Sequence, residues 1–407
     1  MVLIKCFTDS HIENMAACLH LQPEKMILLG STEAMHAHVK RYQSILHQRK
    51  QNTQITVCDV KTQNLIHICQ AIKDILCPNL DCMIDLTGGD EPMVMAVGAV
   101  VAGLNTEQRA RIQVVRYDFS QGCLLDCIHN HTPLCEQGTS VTVDELVILH
   151  GGMVHPESYQ PPEDIHCAGL DPLWNVVASA PKEWNRAIAI LGEFESRADS
   201  KTHVCLPLRF LQNSISNFQE KEEIVRDLLE KFHNCGVIDN RSSRNMLEYT
   251  YNSPLFRYCT QKAGNVLEMK VLLEARELYD NGTPYFRDCQ MGVNIDWDGV
   301  IHDPMMRIPE TRNEIDLILT RGMTSLFISC KNGSIGEEEL YKLHTVASCF
   351  GGVHARKMLI ATDLDQKSAA SNRAFIQRAW DMDIFLVTDA AELTKAEWKQ
   401  IFLNAMA

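Results

Sequence analysis

The chain is short of several things, and each shortage narrows its class. No apolar run approaches the ~20 residues that a bilayer-spanning helix needs, so no membrane partner is expected. The opening residues, MVLIKCFTDS, have no basic region ahead of an apolar one and no small-residue cleavage site. They are expected to form a short strand running into a polar turn, not a signal peptide. Basic charge is scarce: 38 Lys and Arg face 52 Asp and Glu, a formal charge of −14. Such a chain does not coat duplex nucleic acid non-specifically, and any nucleic acid has to be met by a local basic groove. Sixteen cysteines are present without a single Cys-x-x-Cys pair, and several, such as Cys6 and Cys330, sit inside apolar runs. Reduced, buried thiols and a cytoplasmic location are the expectation.

What is present is an ordinary globular composition, 45% hydrophobic over 407 residues, enough for two or three domains with cores of their own. Through residues 1–150, apolar strands end in polar turns that open helices. Strands are predicted over 2–7, 25–29, 55–58, 82–86 and 112–119, and helices over 12–21, 64–76 and 92–104. This rhythm predicts a doubly wound parallel sheet, a Rossmann-like α/β domain whose ligands lie beyond the carboxyl ends of the strands. Thr8, Asp9, Ser10, Asp59, Thr87, Gly88, Gly89 and Asp90 fall at such ends, and Met93 follows in the next helix's first turn. Gly88 and Gly89 let backbone N–H groups approach a phosphate, and a helix N-terminus favours an anion. Asp90 and Glu91 are good capping residues and poor neighbours for a polyanion, so a plain glycine turn with an acidic cap competes with the ligand reading. Cys123, Cys127, His129, His131 and Cys135 come next. Their spacing matches no paired zinc pattern, and alternation in a hairpin accounts for it.

Gly151-Gly152, followed by Pro156, Pro161 and Pro162, marks a domain boundary. Helices over 187–194 and 219–233, then strands near 237–238 and 246–251, suggest a small winged-helix-like module across 151–263. Lys221, Arg226 and Lys231 are interleaved with Glu220, Glu222, Glu223 and Glu230, so a spacer is favoured over an independent reader of DNA.

Residues 264–407 read as a helix over 265–279, a strand over 285–297 and a hairpin of 315–320 with 325–330 around Gly322. A helix over 337–349, a strand over 358–362, a helix over 366–381, a strand over 384–388 and a helix over 392–403 follow. The pattern predicts a central sheet flanked by helices. Period-2 alternation puts Glu314, Asp316 and Ile318 on one face, with Ile315, Leu317 and Leu319 on the other; Ser329 and Lys331 share a face opposite Ile328 and Cys330. A carboxylate and a lysine on the wall of an apolar hairpin are costly if buried and idle. At helical spacing Glu268 lines up with Val271, Leu272, Ala275 and Leu278, which puts a carboxylate on a buried stripe. The plainer readings are a cross-strand ion pair worth ~0.2–1 kcal/mol for Asp316 and Lys331, and a first-turn Glu answering the helix dipole for Glu268.

Asp316, followed about a dozen residues later by Ser329-Cys330-Lys331, resembles the D…(D/E)xK signature of the restriction-endonuclease-like superfamily, and the order of elements around it is similar. The stretch DLTGGDEPM, residues 85–93, resembles the glycine loop of CARF domains, the CRISPR-associated Rossmann-fold sensors of cyclic oligoadenylates. The whole chain thus looks like a CARF–nuclease fusion: sensor 1–150, linker and winged-helix-like connector 151–263, nuclease 264–407. The resemblance implies a metal-dependent endonuclease acting on single-stranded DNA or RNA in type III CRISPR defence. Mg2+ or Mn2+ would be held by Glu268, Asp316 and the backbone carbonyl of Cys330, with Glu314 reaching a second metal or an outer-shell water. Lys331 would orient or deprotonate the attacking water. Ser329 stands where the superfamily has a second acidic ligand, which takes one negative charge off the metal site. A homodimer would bind the cyclic oligoadenylate, most often the four-membered ring, across its two-fold axis, lined by the strand-end residues from Thr8 to Met93. Two alternatives stay open: a nuclease with a degenerate sensor, and a non-catalytic, ligand-responsive DNA-binding regulator. Arg356, Lys357, Lys367, Arg373 and Arg378 are candidates for a strand-guiding groove or for solvated faces; Phe286, Trp297 and Phe327 are candidates for stacking surfaces or core.

Overall fold

Strands that end in polar turns and return through helices build parallel sheets, because each right-handed crossover buries the apolar face of its helix on the sheet. The computed structural model describes residues 1–76, 81–128, 133–134, 138–155, 161–162, 165–200, 202–300, 302, 311–333, 335–362 and 369–407. The first unit runs β1 (Val2–Cys6), α1 (His11–Leu21), β2 (Lys25–Gly30), α2 (Thr32–Gln48), β3 (Gln54–Asp59) and α3 (Leu65–Leu76). It continues with β4 (Cys82–Asp85), α4 (Glu91–Ala102), the single turn α5 (Thr106–Arg109), β5 (Ile112–Asp118) and β6 (Cys123–Asp126). Its sheet has the order β3-β2-β1-β4-β5-β6, parallel except for the final antiparallel pair. Strand order reverses at β1, so the carboxyl ends of β1 and β4 flank the switch point where such sheets bind ligands. The centre of the sheet holds a buried ion pair: Lys5 Nζ lies 3.2 Å from Asp85 Oδ2, both side chains fully enclosed, and donates to the Thr87 carbonyl.

Next come α6 (Val143–Leu149) and the two-residue β7 (Met153–Val154). The middle of the chain carries α7 (Cys167–Ser179), α8 (Pro181–Glu195), β8 (His203–Pro207), α9 (Leu208–Leu211), α10 (Phe218–Asn234), β9 (Ile238–Asn240), β10 (Met246–Tyr251) and α11 (Pro254–Cys259). Its small antiparallel sheet has the order β8-β10-β9. The last part runs α12 (Asn265–Arg276), the short pair β11 (Tyr279–Asp280) and β12 (Thr283–Pro284), β13 (Asp288–Asp296), β14 (Arg312–Arg321) and β15 (Thr324–Lys331). Then follow α13 (Glu337–Gly351), a 3-10 turn (Gly352–His354), β16 (Arg356–Ala361), α14 (Ala369–Asp381), β17 (Ile384–Val387) and α15 (Lys395–Met406). Helix α15 starts three residues later than the sequence pattern predicts, because Thr394 and Glu397 close a capping box there. Residues 363–368, including Lys367 and the start of the helix expected from 366, lie outside the described residues.

The second large sheet has the order β17-β16-β15-β14-β13-β7. Its edge strand β7 comes from just past residue 150, so the chain enters this sheet before building the middle module. One core runs from α1 and α2 through α6 to α13 and this sheet, and includes Met15, Tyr42, Leu146, Val293, Ile315, Phe327 and Phe350. A second core on the opposite face gathers Trp184, Phe194, Leu272, Leu317, Ile328, Trp398 and Phe402. The two large sheets therefore share buried apolar surface, which couples them mechanically. Among the described residues, no helix is long and apolar enough to cross a membrane.

Candidate active site

The β14–β15 hairpin pairs from Arg321↔Thr324 down to Leu317↔Ile328. At Asp316 the strands part. The Cys330 N–H donates to Asp316 Oδ2 at 2.6 Å, and the Ser329 hydroxyl donates to the same oxygen at 3.2 Å. Parity also breaks here. Ile315 joins the core shared with Val293 and Phe327, whereas Leu317 and Leu319 join the opposite one with Met291 and Ile328, so the expected common face for Ile315, Leu317 and Leu319 is wrong. The physical cause is Gly292, opposite Asp316 by the flanking pairs Met291↔Leu317 and Val293↔Ile315; its φ of +58° twists the ladder where a residue with a Cβ would be strained.

Lys331, the last residue of β15, lies 4.0 Å from Asp316 Oδ2 and 3.0 Å from Glu339 Oε2 in the first turn of α13. Burial alone would lower its pKa, but Asp316 and Glu339 outweigh that and the net shift is upward. Lys331 is therefore an ammonium at neutral pH, a donor and not a base. Glu268, in the first turn of α12, is held by burial, then by the negative charge of Asp316 and Glu314, at a pKa of about 8; Lys262 and Lys331 oppose the rise. Asp316 is raised in the same way by burial, against Lys331, the Cys330 N–H and Ser329. Glu314 is exposed, and reaches the site through its field at Glu268. Cys330 keeps a buried side chain and pairs with Ile360 in the parallel ladder. Among the described residues, no three His, Cys, Asp or Glu side chains are gathered closely enough to hold a metal. The donor set nonetheless suits a hard divalent cation: two largely enclosed carboxyl groups, both pushed up by burial and Glu268 further by the charge of Asp316, are what such an ion would relieve.

Four supporting residues, Glu339, Asn332, Thr362 and Asn185, escaped the sequence reading. Glu339 lies in a run of three glutamates at a helix start, which reads as dipole compensation. Asn332 donates to the Ala263 carbonyl at 3.1 Å and accepts from Thr362 Oγ1, while Asn185 donates to the Asn332 carbonyl. These bonds set α12, and with it Glu268, against the end of β15. No local pattern announces them.

At the first sheet, the strand ends gather Thr8, Asp9, Ser10, Gly88, Gly89 and Asp90 around the switch point; Asp59 ends β3, two strands away from β1. Asn14 brackets Thr8, accepting its N–H and donating to its carbonyl. Asp90 is the N-cap of α4, its carboxylate accepting the Met93 N–H at 3.0 Å. Two expectations need correcting. The Thr87 hydroxyl faces inward, donating to Asp85 and accepting the Tyr117 N–H at 2.8 Å, so it is spent on the fold. The Met93 side chain is core, 1% exposed, and cannot reach a ligand. Gly88 has a φ of +66°, and a Cβ there would fall 2.0 Å from Glu13 Oε2. Glu13 in turn pairs with His354, from the far end of α13, at 2.8 Å.

Of the zinc candidates, Cys123 lies in edge strand β6 and Cys127 just beyond it; His129, His131 and Cys135 are outside the described residues. Arg356 and Lys357 open β16 at the end away from Lys331, and Lys357 is buried, donating to the Met382 carbonyl, so neither lines a groove at the site. Arg373 and Arg378 are exposed on α14, where Arg378 bonds Tyr341. Phe286 and Phe327 are buried, and Trp297 packs against Phe350, so these aromatics serve the core.

Two solved structures share this fold along the whole chain. Protein VC1899 from Vibrio cholerae superposes with a TM-score of 0.73 at 15% identity, covering 100% of this chain and 97% of that one. Can2 from Sulfobacillus thermosulfidooxidans, solved in complex with cyclic tetra-adenylate, superposes with a TM-score of 0.66, also at 15% identity and with coverage of 100% and 97%. At this identity the likeness is one of fold. No protein-family model and no curated protein sequence matches the chain.

Proposed function

We propose that this chain is a metal-dependent nuclease acting on single-stranded DNA or RNA, switched on by a cyclic oligoadenylate in type III CRISPR antiviral defence. The observation that carries this reading is the meeting of Asp316, Glu268 and Lys331, from three separate elements, where β14 and β15 part. Mg2+ or Mn2+ would be held by Asp316 and Glu268, with the Cys330 carbonyl and Glu314 as further oxygen donors; such an ion polarises a phosphodiester and acidifies a bound water. Lys331 supplies a fixed positive charge for the phosphoryl oxygens and orients the attacking water. Ser329, holding Asp316 by a hydrogen bond, fixes the carboxylate's orientation in place of a second acidic ligand.

For the sensor, the fold shared with Can2, which was captured with cyclic tetra-adenylate, supports the same class of ligand at the switch point. The Gly88 N–H and the α4 N-terminus suit a phosphate there, with Thr8, Asp9, Ser10 and Asp90 around it; the Gly89 N–H closes the turn on the Leu86 carbonyl at 3.0 Å. A homodimer is supported by α4 itself. Residues 92–104 contain no charged side chain, yet Val94 and Met95 are exposed, as are Leu65 and Ile66 on α3, which packs against α4. An uncharged exposed face next to the ligand turn suits a second copy across a two-fold axis. The middle module, in the order α8, β8, α9, α10, β9, β10, is read as a winged-helix-like spacer. The fourteen described cysteines are all free, as a reducing cytoplasm would keep them.

The test is cleavage of labelled single-stranded DNA and RNA with Mg2+ or Mn2+, with and without cyclic tetra-adenylate, and in EDTA. Cleavage is expected only when metal and ligand are both present. A chain inert under every condition refutes the nuclease, and equal cleavage without ligand refutes the switch.

A further inference from the structure

Helix α13 is tied at both ends. At its start Glu339 holds Lys331 at 3.0 Å. Fifteen residues of helix, about 22 Å at 1.5 Å per residue, carry the chain to the turn where His354 Nε2 meets Glu13 Oε1 at 2.8 Å. The His354 ring also lies flat on Phe119, with centroids 3.6 Å apart and planes 10° from parallel. Phe119 follows β5, so both contacts belong to the ligand edge of the first sheet. The second oxygen of Glu13 covers the open face of Gly88. One carboxylate thus blocks the glycine turn and anchors the far end of the helix that restrains the site lysine.

We propose that Glu13 is the latch between sensor and nuclease. A phosphate arriving at the Gly88 turn expels the Glu13 carboxylate, because two anions cannot share that half-buried space. His354 then loses its partner, α13 is released, and Glu339 moves off Lys331. The inner face of α13, from Leu340 through Leu343 and Val346 to Phe350, packs into the core shared with α1 and α2, so a shift at one end is not absorbed along the way. The inference rests on the sensor–nuclease reading above, and names the residue through which that switch acts. The latch and the ligand bias the same equilibrium in opposite directions, so weakening the latch does part of the ligand's work.

The test uses the full-length chain with Glu13→Gln, His354→Ala and the double variant. It measures cyclic tetra-adenylate affinity, cleavage without ligand, and cleavage at saturating ligand. Each single variant is expected to raise ligand-free cleavage and ligand affinity by roughly fivefold or more. The ligand-saturated rate and the melting temperature are expected to match wild type, and the double variant to go no further than the larger single. A wild type that cleaves only with ligand, alongside variants with unchanged ligand-free cleavage and affinity, overturns the latch alone. Additive effects in the double variant also overturn it. A wild type that never cleaves overturns the nuclease reading, and the latch with it.

Discussion

Raising the pH of the metal-free protein from 4.5 to 8 is expected to destabilise it through Glu268. In the unfolded chain this carboxyl has the ordinary value of 4.5; in the folded chain burial, Asp316 and Glu314 hold it at about 8. Between those values the folded state binds the extra proton, so the free energy of unfolding falls as pH rises and the loss is complete only above the folded value. A gap of 8 minus 4.5, at ~1.36 kcal/mol per pH unit, sets an upper figure of roughly 5 kcal/mol, and relaxation around the charge brings it to a few. Asp316 shifts in the same direction, so a single-site comparison is needed to isolate Glu268. Urea denaturation in EDTA across this range, on wild type and Glu268→Gln, provides it. Glutamine keeps the shape and never ionises, so the variant is expected to gain on wild type steadily with pH. Added Mn2+ is expected to flatten the wild-type slope, because a cation favours the ionised carboxylate. Curves for wild type and Glu268→Gln that stay parallel from pH 4.5 to 8 would refute both the burial of this carboxyl and its repulsion by its neighbours.

Lys331→Ala is expected to lower cleavage at saturating ligand by about 10²–10³-fold, the cost of removing one preorganised charge donor; cleavage assays with metal and excess ligand check this. Glu195→Ala strips a buried carboxylate from Tyr249 and Tyr251, each at 2.8 Å, and from Arg257, also at 2.8 Å. A buried guanidinium left without its partner costs about 3–5 kcal/mol, read as a lower urea midpoint. Met95→Asp puts a charge on the exposed face of α4 and is expected to shift the chain from dimer to monomer in sedimentation, without changing the far-UV spectrum.

Much of the scaffold was legible because its signals are local. Strand, polar turn and helix follow one another within a few residues in the first 118, and the β14–β15 hairpin closes over a two-residue turn, so Asp316 and Lys331 are brought near by adjacent segments. Glu268, on another helix, was legible only as a carboxylate on an apolar stripe. Other features depended on how distant segments pack. Gly292 reversed the alternation at Asp316 from a neighbouring strand, where no pattern within 312–321 records it. Thr87 and Met93 sit in a ligand-like loop, but Asp85, Tyr117 and the core claim their side chains. Period and turn chemistry were enough to determine the strands, the helices and the hairpin that carries Asp316 and Lys331, because they report the backbone each segment prefers by itself. The pairing of Glu13 with His354, 341 residues apart, and the restraint of Lys331 by Glu339 were decided only by the tertiary structure. A side chain's partner depends on which surfaces the shared core presses together, and that is a property of the whole fold.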